Sequence, residues 1–311
     1  MAIRIITDST ADFTRDEAAQ LGIEIVPLKT RFGDEEYIDG VTISPREFYE
    51  KLVESDVMPS TSQPSPAEFE ATYDKVLAGG DEAVVITISG ELSGTYQSAV
   101  IAAEKYPGRI AVVDSRSASI GAQILVRRAV QLAESAPGAA ELARVLLEER
   151  GRVCVIALLD TLEYLKRGGR ISSAVAFAGG VLAIKPVVTV KDGIVQLVGR
   201  ARGSKNGNNL LSEFINKRGG VDFNMPHTLG YTGLSDALLQ KYVHDSAHLW
   251  TDGAHRVPAR QPHRLRHRLA RRPRRRGRCL FPARLSAYLP PPPPFLACGG
   301  LFRLLYSRKK F

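Results

Sequence analysis

The chain is poor in the residues on which most secreted proteins and metalloenzymes depend. Its 311 residues include three cysteines, six histidines and one tryptophan. Cys154, Cys279 and Cys298 cannot build a disulfide framework, and none stands at C-x-x-C spacing, so a reducing cytoplasm is the expected compartment. No Cys/His cluster and no H-E-x-x-H run occurs; neither a metal nor a cofactor is expected. No window approaches the ~18 consecutive apolar residues of a membrane span. The opening Met-Ala-Ile-Arg-Ile-Ile-Thr-Asp has no long apolar stretch before its first acid. Stable membrane insertion and export are therefore not expected.

From Thr251 onward the missing residues are acids. Sixteen Lys and Arg face Asp252 alone, so the last 61 residues carry +15 of a chain total of +9 and leave the body at −6. A basic total suggests a nucleic-acid partner, but here the excess sits at one end, and none is expected for the body. After Asp252 there is no Ile or Asn either, while nine of the 18 prolines appear, five of them consecutive from Pro290 to Pro294. Such a segment buries too little apolar surface to offset a backbone entropy of ~1 to 2 kcal/mol per residue, so 251–311 is expected to be disordered, with local polyproline II. One reading is an Arg-rich arm for RNA or anionic lipid, centred on Arg271-Arg272-Pro273-Arg274-Arg275-Arg276. The preferred reading is a C-terminus in a shifted frame, because a GC-rich gene read out of frame gains Arg, Pro, Ala and Gly and loses acids. With permissible codons, Arg264 to Phe281 read one base later yields a His-Ala-Gly-Pro-Gly phrase.

What is present before Thr251 has the rhythm of an α/β protein. With 44% hydrophobic residues the body can bury a core, and its length favours two domains, expected over 1–150 and 151–250. Short β-branched runs alternate with amphipathic stretches: Ile3 to Thr7, Arg15 to Leu21, Ile23 to Leu28. Ser44-Pro45-Arg46-Glu47 and Ser65-Pro66-Ala67-Glu68 each join a capping hydroxyl, a first-turn proline and a glutamate three residues on, which marks two helix starts. Buried strands are expected at Ala83 to Ile88 and Ile110 to Asp114, with helices flanking them and another helix over Glu141 to Arg150. The second half reads as a strand over Val153 to Leu158 and a helix over Asp160 to Lys166. A hairpin follows, of Lys185 to Lys191 and Ile194 to Gly199 about Asp192-Gly193. Next come a helix over Ser204 to Lys217, a strand over His227 to Tyr231 and a last helix over Ser235 to Leu249.

Four motifs could carry chemistry. Asp8-Ser9-Thr10-Ala11-Asp12 ends the first strand, where open α/β sheets place ligands, but it lacks the glycines of a phosphate loop; helix capping by Asp12 is the alternative. Pro59-Ser60-Thr61-Ser62-Gln63-Pro64-Ser65 is a hydroxyl-rich loop before a helix, and Ser89-Gly90-Glu91-Leu92-Ser93-Gly94-Thr95-Tyr96 is a second one after a buried strand. Hydroxyls and free N–H groups at a helix start cradle an anion without a formal positive charge, and a carboxylate fits; two capped turns with no ligand is the alternative. Ser93 lacks the G-x-S-x-G elbow of a hydrolase, and nothing marks His227, His244 or His248 as its base. The fourth run, Leu158 to Ser172, places Leu158, Leu162 and Leu165 at helical spacing before Gly168-Gly169, with Lys166, Arg167 and Arg170 around the turn. With Arg200, Arg202 and Lys205 these cations suit phosphate or an acidic partner, or form an ordinary solvated face.

The order of these motifs resembles the DegV family of bacterial fatty-acid-binding proteins. The resemblance rests on Asp8 to Asp12, Thr61-Ser62-Gln63-Pro64-Ser65, Ser93-Gly94-Thr95-Tyr96-Gln97-Ser98-Ala99 and Asp160 to Ser172, and it runs to about Trp250. It implies a two-domain α/β protein that holds one long-chain fatty acid between its domains and presents it to a separate ATP-dependent fatty acid kinase. That kinase makes an acyl phosphate for phospholipid synthesis, so the chain would be a carrier and not itself an enzyme. By position, Thr61, Ser62 and Ser93 become the carboxylate contacts, Gly94 and Thr95 shape the same loop, and Arg170 and Arg202 meet the kinase or the phosphoryl group. Burying ~14 methylenes at ~0.8 kcal/mol each contributes on the order of 11 kcal/mol gross, so the acyl chain supplies affinity and the head group supplies register. An apolar tunnel leading to Thr61 and Ser93 is expected. The alternative is an esterase or small-molecule kinase using Ser93. Family members end on a His, a Gly-Pro-Gly and an apolar strand that this tail lacks, so an open sheet edge, weak lipid binding and a tendency to aggregate are expected.

Overall fold

The computed structural model describes residues 2–55, 57–172, 184–250, 281–283 and 285–287. Its first half is built on four parallel strands, β1 (Ile3–Asp8), β2 (Ile23–Val26), β6 (Glu82–Thr87) and β7 (Ile110–Asp114), in the order β2-β1-β6-β7. These runs are almost wholly apolar because both faces of the sheet are covered. Ile5, Val84 and Ile86 pack against α5 (Ile120–Ala133) and α6 (Ala139–Glu149). Their neighbours Ile6, Ala83 and Val85 point the other way, against α3 (Pro66–Leu77) and α4 (Thr95–Ala103). The chain leaves β1 toward β2 on one side and β6 toward β7 on the other. Strand order therefore reverses between β1 and β6, and the carboxyl ends of strands at such a reversal are where open α/β sheets place ligands.

Capping boxes open α1 (Arg15–Leu21), α2 (Pro45–Glu54) and α3, from Thr14 with Glu17, Ser44 with Glu47 and Ser65 with Glu68. Asp12 caps no helix start: it closes the turn Ser9–Ala11 at φ 56°, and Thr14 caps α1 instead. The hydroxyl-rich segment is also not wholly a loop. Ser60–Ser62 forms β5, which pairs with β3 (Lys29–Phe32) in a small antiparallel sheet of order β4-β3-β5, where β4 is Glu35–Ile38. All of β5 is exposed and its pairing is main-chain only, so no hydropathy pattern announces it.

In the second half β8 (Val153–Leu158), β9 (Ile184–Lys191) and β10 (Ile194–Arg202) are antiparallel, with the hairpin turning at Asp192 (φ 53°) and Gly193 (φ 85°). The helix expected from Asp160 is α7 (Glu163–Arg167), which starts later because Thr161 first turns the chain by accepting the Glu163 N–H. After α8 (Gly203–Lys217), the strand expected over His227 to Tyr231 is β11 (Gly230–Thr232). The last helix, α9 (Ala237–Asp245), stops where the Ser246 hydroxyl donates to Tyr242 O, and Ala247–Leu249 is a separate turn. Ile156 and Leu158 of β8 pack with Leu211, Ile215, Tyr242 and Trp250, and Gly207 lets α8 approach: a Cβ there would lie 2.5 Å from Leu158 Cδ1.

Two short strands of the tail are described, β12 (Phe281–Ala283) and β13 (Leu285–Ala287), both parallel to β8, with β13 also beside β11. The sequence reading has disorder here and an open edge; instead the main chain of β8 is paired on this side, which satisfies its N–H and C=O groups. The expectations for 251–280, 284 and 288–311 lie outside the described residues.

The opposite face of β8 joins the two halves. Val155 and Ala157 meet Phe32, Phe48, Ile88, Leu92 and Ile120 of the first half, together with Leu162, Leu165, Val188, Val190 and Val195. Helix α5 comes within reach of β8 because residue 121 is glycine: a Cβ there would lie 2.3 Å from Val155 Cγ2.

Candidate functional site

Two of the motifs singled out in the sequence, Asp8 to Asp12 and Ser89 to Tyr96, lie at the carboxyl ends of β1 and β6. Most of the polar atoms of Asp8 to Asp12 serve the fold. Asp8 is buried and accepts from Thr10 N and from Ile88 N, both at 2.8 Å, so one carboxylate ties the ends of the two strands together. Burial, helped by the nearby Asp39 carboxylate, pushes its pKa up to about 6 against the pull of those hydrogen bonds. Ser9 Oγ accepts from Leu28 N at 3.0 Å, and Ser119 Oγ donates to Asp12 Oδ2 at 2.5 Å. Among the described residues no group of three or more His, Cys, Asp or Glu could hold a metal ion.

The two hydroxyl-rich segments are brought together by a residue between the assigned positions. Gln63, directly after Thr61 and Ser62, donates from Nε2 to Ser98 Oγ at 3.1 Å. It also lies against Gly94 so closely that a Cβ there would be 2.2 Å from Gln63 Oε1. Thr61 and Ser62 are exposed on β5, opposite Thr30 and Lys29 of β3. Ser93 is half-buried; its Oγ accepts from Thr95 N at 3.3 Å and lies 2.9 Å from Thr95 Oγ1. Either hydroxyl can donate in the second contact; where Thr95 does, the Ser93 proton is available to an acceptor outside. Gly94 starts α4 without any side-chain cap, so first-turn N–H groups open beside Ser93, where an anion is favoured. Substituting Gly94→Ala should drive the Gln63 amide off Ser98 and lower stability by about 1 kcal/mol, read from urea unfolding.

Arg170, read from the sequence as a partner contact, is tied to this same turn: its Nε donates to Leu92 O at 3.1 Å. Arg202 is elsewhere, exposed at the junction of β10 and α8, and Arg167 pairs with Glu163 at 2.8 Å. Asp160 and Lys185 form a mostly buried ion pair between the start of the fourth motif and β9, and burial raises the Asp160 pKa despite the lysine. Ser93 bonds no histidine among the described residues; His227 Nδ1 lies 3.2 Å from Met225 O.

Two cavities are described: one of about 200 Å³ lined by Phe32, Lys51 and Val57 among others, and one of about 340 Å³ near Ala2, Glu82 and Pro137. Neither is lined by Thr61, Ser62 or Ser93, so neither is the expected tunnel. Leu92, next to Ser93, and Ile88 belong to the apolar cluster shared by both halves. For Gln63 and Ser89 the sequence offers one signal, their place inside a hydroxyl-rich run.

Comparison with known proteins places the chain in a family. The family described as "Uncharacterised protein, DegV family" matches residues 2–248, ending where regular patterning ends. A DegV domain-containing protein of Deinococcus radiodurans is 36% identical over 263 residues, 83% of this chain and 93% of its own. Among solved structures, a DegV family protein from Thermus thermophilus, described for its fatty acid binding, shares 36% identity at a TM-score of 0.69. That match covers 80% of this chain and 89% of the other. A stearic acid-binding protein from Eubacterium ventriosum shares 28% identity at a TM-score of 0.63, over 69% of this chain and 77% of that one. The chain described here belongs to the DegV family.

Proposed function

We propose that the protein binds one long-chain fatty acid between its two halves, in the cytoplasm, and presents the carboxylate to a separate ATP-dependent fatty acid kinase. The observation that carries this reading is the approach of Gln63, which follows Thr61 and Ser62, to the Ser93-Gly94-Thr95 turn beside an apolar cluster shared by both halves. Support comes also from the relatives in Thermus thermophilus and Eubacterium ventriosum, which bind fatty acids. The acyl chain would displace or part the side chains of the cluster, and the acid would lie against Ser93 and the start of α4. Several hydroxyl and N–H donors reduce the cost of holding a carboxylate away from water. They leave one oxygen free to attack the γ-phosphorus of ATP held by the kinase, with ADP leaving and an acyl phosphate formed. Arg170, beside the turn, and Arg202, at the junction of β10 and α8, are assigned as separate contacts of the kinase or the phosphoryl group. The chain itself supplies binding and position, not a nucleophile. No helix among the described residues is long and apolar enough to cross a membrane.

Native mass spectrometry of the purified chain should show the mass of one fatty acid, identified after extraction. Adding a fatty acid kinase and ATP should give an acyl phosphate trapped by hydroxylamine. A fluorophosphonate probe should leave Ser93 unlabelled; labelling there, with no bound acid, would replace the carrier by a hydrolase.

A further inference from the structure

The turn that carries Ser93 hangs on one fully buried residue, Ser89. Its main-chain oxygen accepts the N–H groups of Leu92 at 3.0 Å and Ser93 at 3.1 Å, and its own N–H donates to Ser117 O at 2.8 Å, in the loop after β7. Its hydroxyl accepts from Glu91 N at 3.2 Å and donates at 2.8 Å to the carbonyl of Gly193, the tip of the β9–β10 hairpin in the other half. The approach is close: a Cβ on Gly193 would lie 2.6 Å from Ser89 Oγ and 3.1 Å from Glu91 Cγ, and its φ of 85° already disfavours a side chain. A second link from the same half, Arg170 Nε to Leu92 O, reaches the same turn at 3.1 Å.

We propose that Ser89 is a positioning residue for the carboxylate site, latching the two halves through Gly193 and fixing Ser93 only when they are closed. This rests on the fatty-acid-binding reading above. An acyl chain lodged in the shared cluster enters or leaves when Val190 and Val195, which flank the hairpin tip, move off Ile88 and Leu92. That movement draws Gly193 from Ser89 and loosens the turn whose carbonyl holds the Ser93 N–H. Closure of the halves and capture of the head group are then one event. The latch slows release by the worth of one buried hydrogen bond, about three- to tenfold.

The test follows release of cis-parinaric acid, a fluorescent long-chain fatty acid, from the full-length protein into fatty-acid-free albumin. Ser89→Ala and Gly193→Ala should each speed release by about fivefold, and the double variant should be no faster than either, because both break one contact. Release at the wild-type rate in either folded variant overturns the latch, as does a double variant whose effects multiply. Ser89 is buried, so should Ser89→Ala fail to fold, Gly193→Ala on the hairpin decides alone: faster release supports the latch and an unchanged rate overturns it. A wild-type chain that binds no cis-parinaric acid overturns the fatty-acid reading, and the latch with it; a wild type that binds, with variants that release like it, overturns the latch only.

Discussion

Replacing Thr61 and Ser93 together by alanine is expected to weaken fatty acid binding about 100-fold with little change in folding stability, as read by cis-parinaric acid titration and urea unfolding. A hydrogen bond to a charged group is worth about 1.5–3 kcal/mol, a factor of roughly 10 to 150 for each donor lost, and neighbouring donors to one carboxylate overlap in effect. Thr61 is exposed on an edge strand and bonds nothing that the small sheet needs. Ser93 loses only its contacts with Thr95, at the uncapped start of α4. The cost to the fold is therefore small beside the cost to the ligand. The methyl ester of the same acid separates head group from chain: it should bind wild type and variant alike, because the acyl chain meets the same cluster in both. Equal affinity of both proteins for the free acid would remove the carboxylate from this turn.

Much of the fold around this site was legible before any coordinates, and the reason differs from residue to residue. Capping boxes at Ser44 and Ser65 are local in chemistry, so they can be read from four consecutive residues. Parallel strands buried on both faces announce themselves as β-branched runs, as β6 and β7 do. The Asp192-Gly193 turn requires two positive φ angles, which that dipeptide accepts readily. By contrast β5 is three exposed hydroxyl residues held by main-chain pairing with β3, a partner about thirty residues earlier, and periodicity carries no trace of it. Arg170 reads as a phosphate or partner contact because Lys166 and Arg167 stand just before it across two glycines; only the tertiary approach of Leu92 O shows where its Nε is held. Ser89 follows the same rule, since its partner Gly193 lies 104 residues away.

Asp8 gives the second large effect, on stability. Its pKa is pushed from the ordinary 3.8 up to about 6 by burial first, and in smaller part by the facing Asp39 carboxylate, against the N–H groups of Thr10 and Ile88 that favour the charge. The folded state thus prefers Asp8 neutral. Its contribution to stability is complete below about pH 4 and is lost as pH rises through about 6, by about 3 kcal/mol in total. Exposed acids that gain hydrogen bonds on folding, such as Glu47 and Glu35, titrate in the opposite sense, so the wild-type profile alone mixes the two. Asp8→Asn isolates the group. Its amide must set a donor against either Thr10 N or Ile88 N, a penalty that does not vary with pH. The difference in unfolding free energy between the two proteins should therefore move in favour of the variant by about 2 kcal/mol from pH 4 to pH 7. Asp39→Asn should shift the midpoint of that change to lower pH, because it removes the facing charge. A difference that stays flat across this range would mean that Asp8 keeps an ordinary pKa, and that the two N–H groups at the ends of β1 and β6 outweigh its burial.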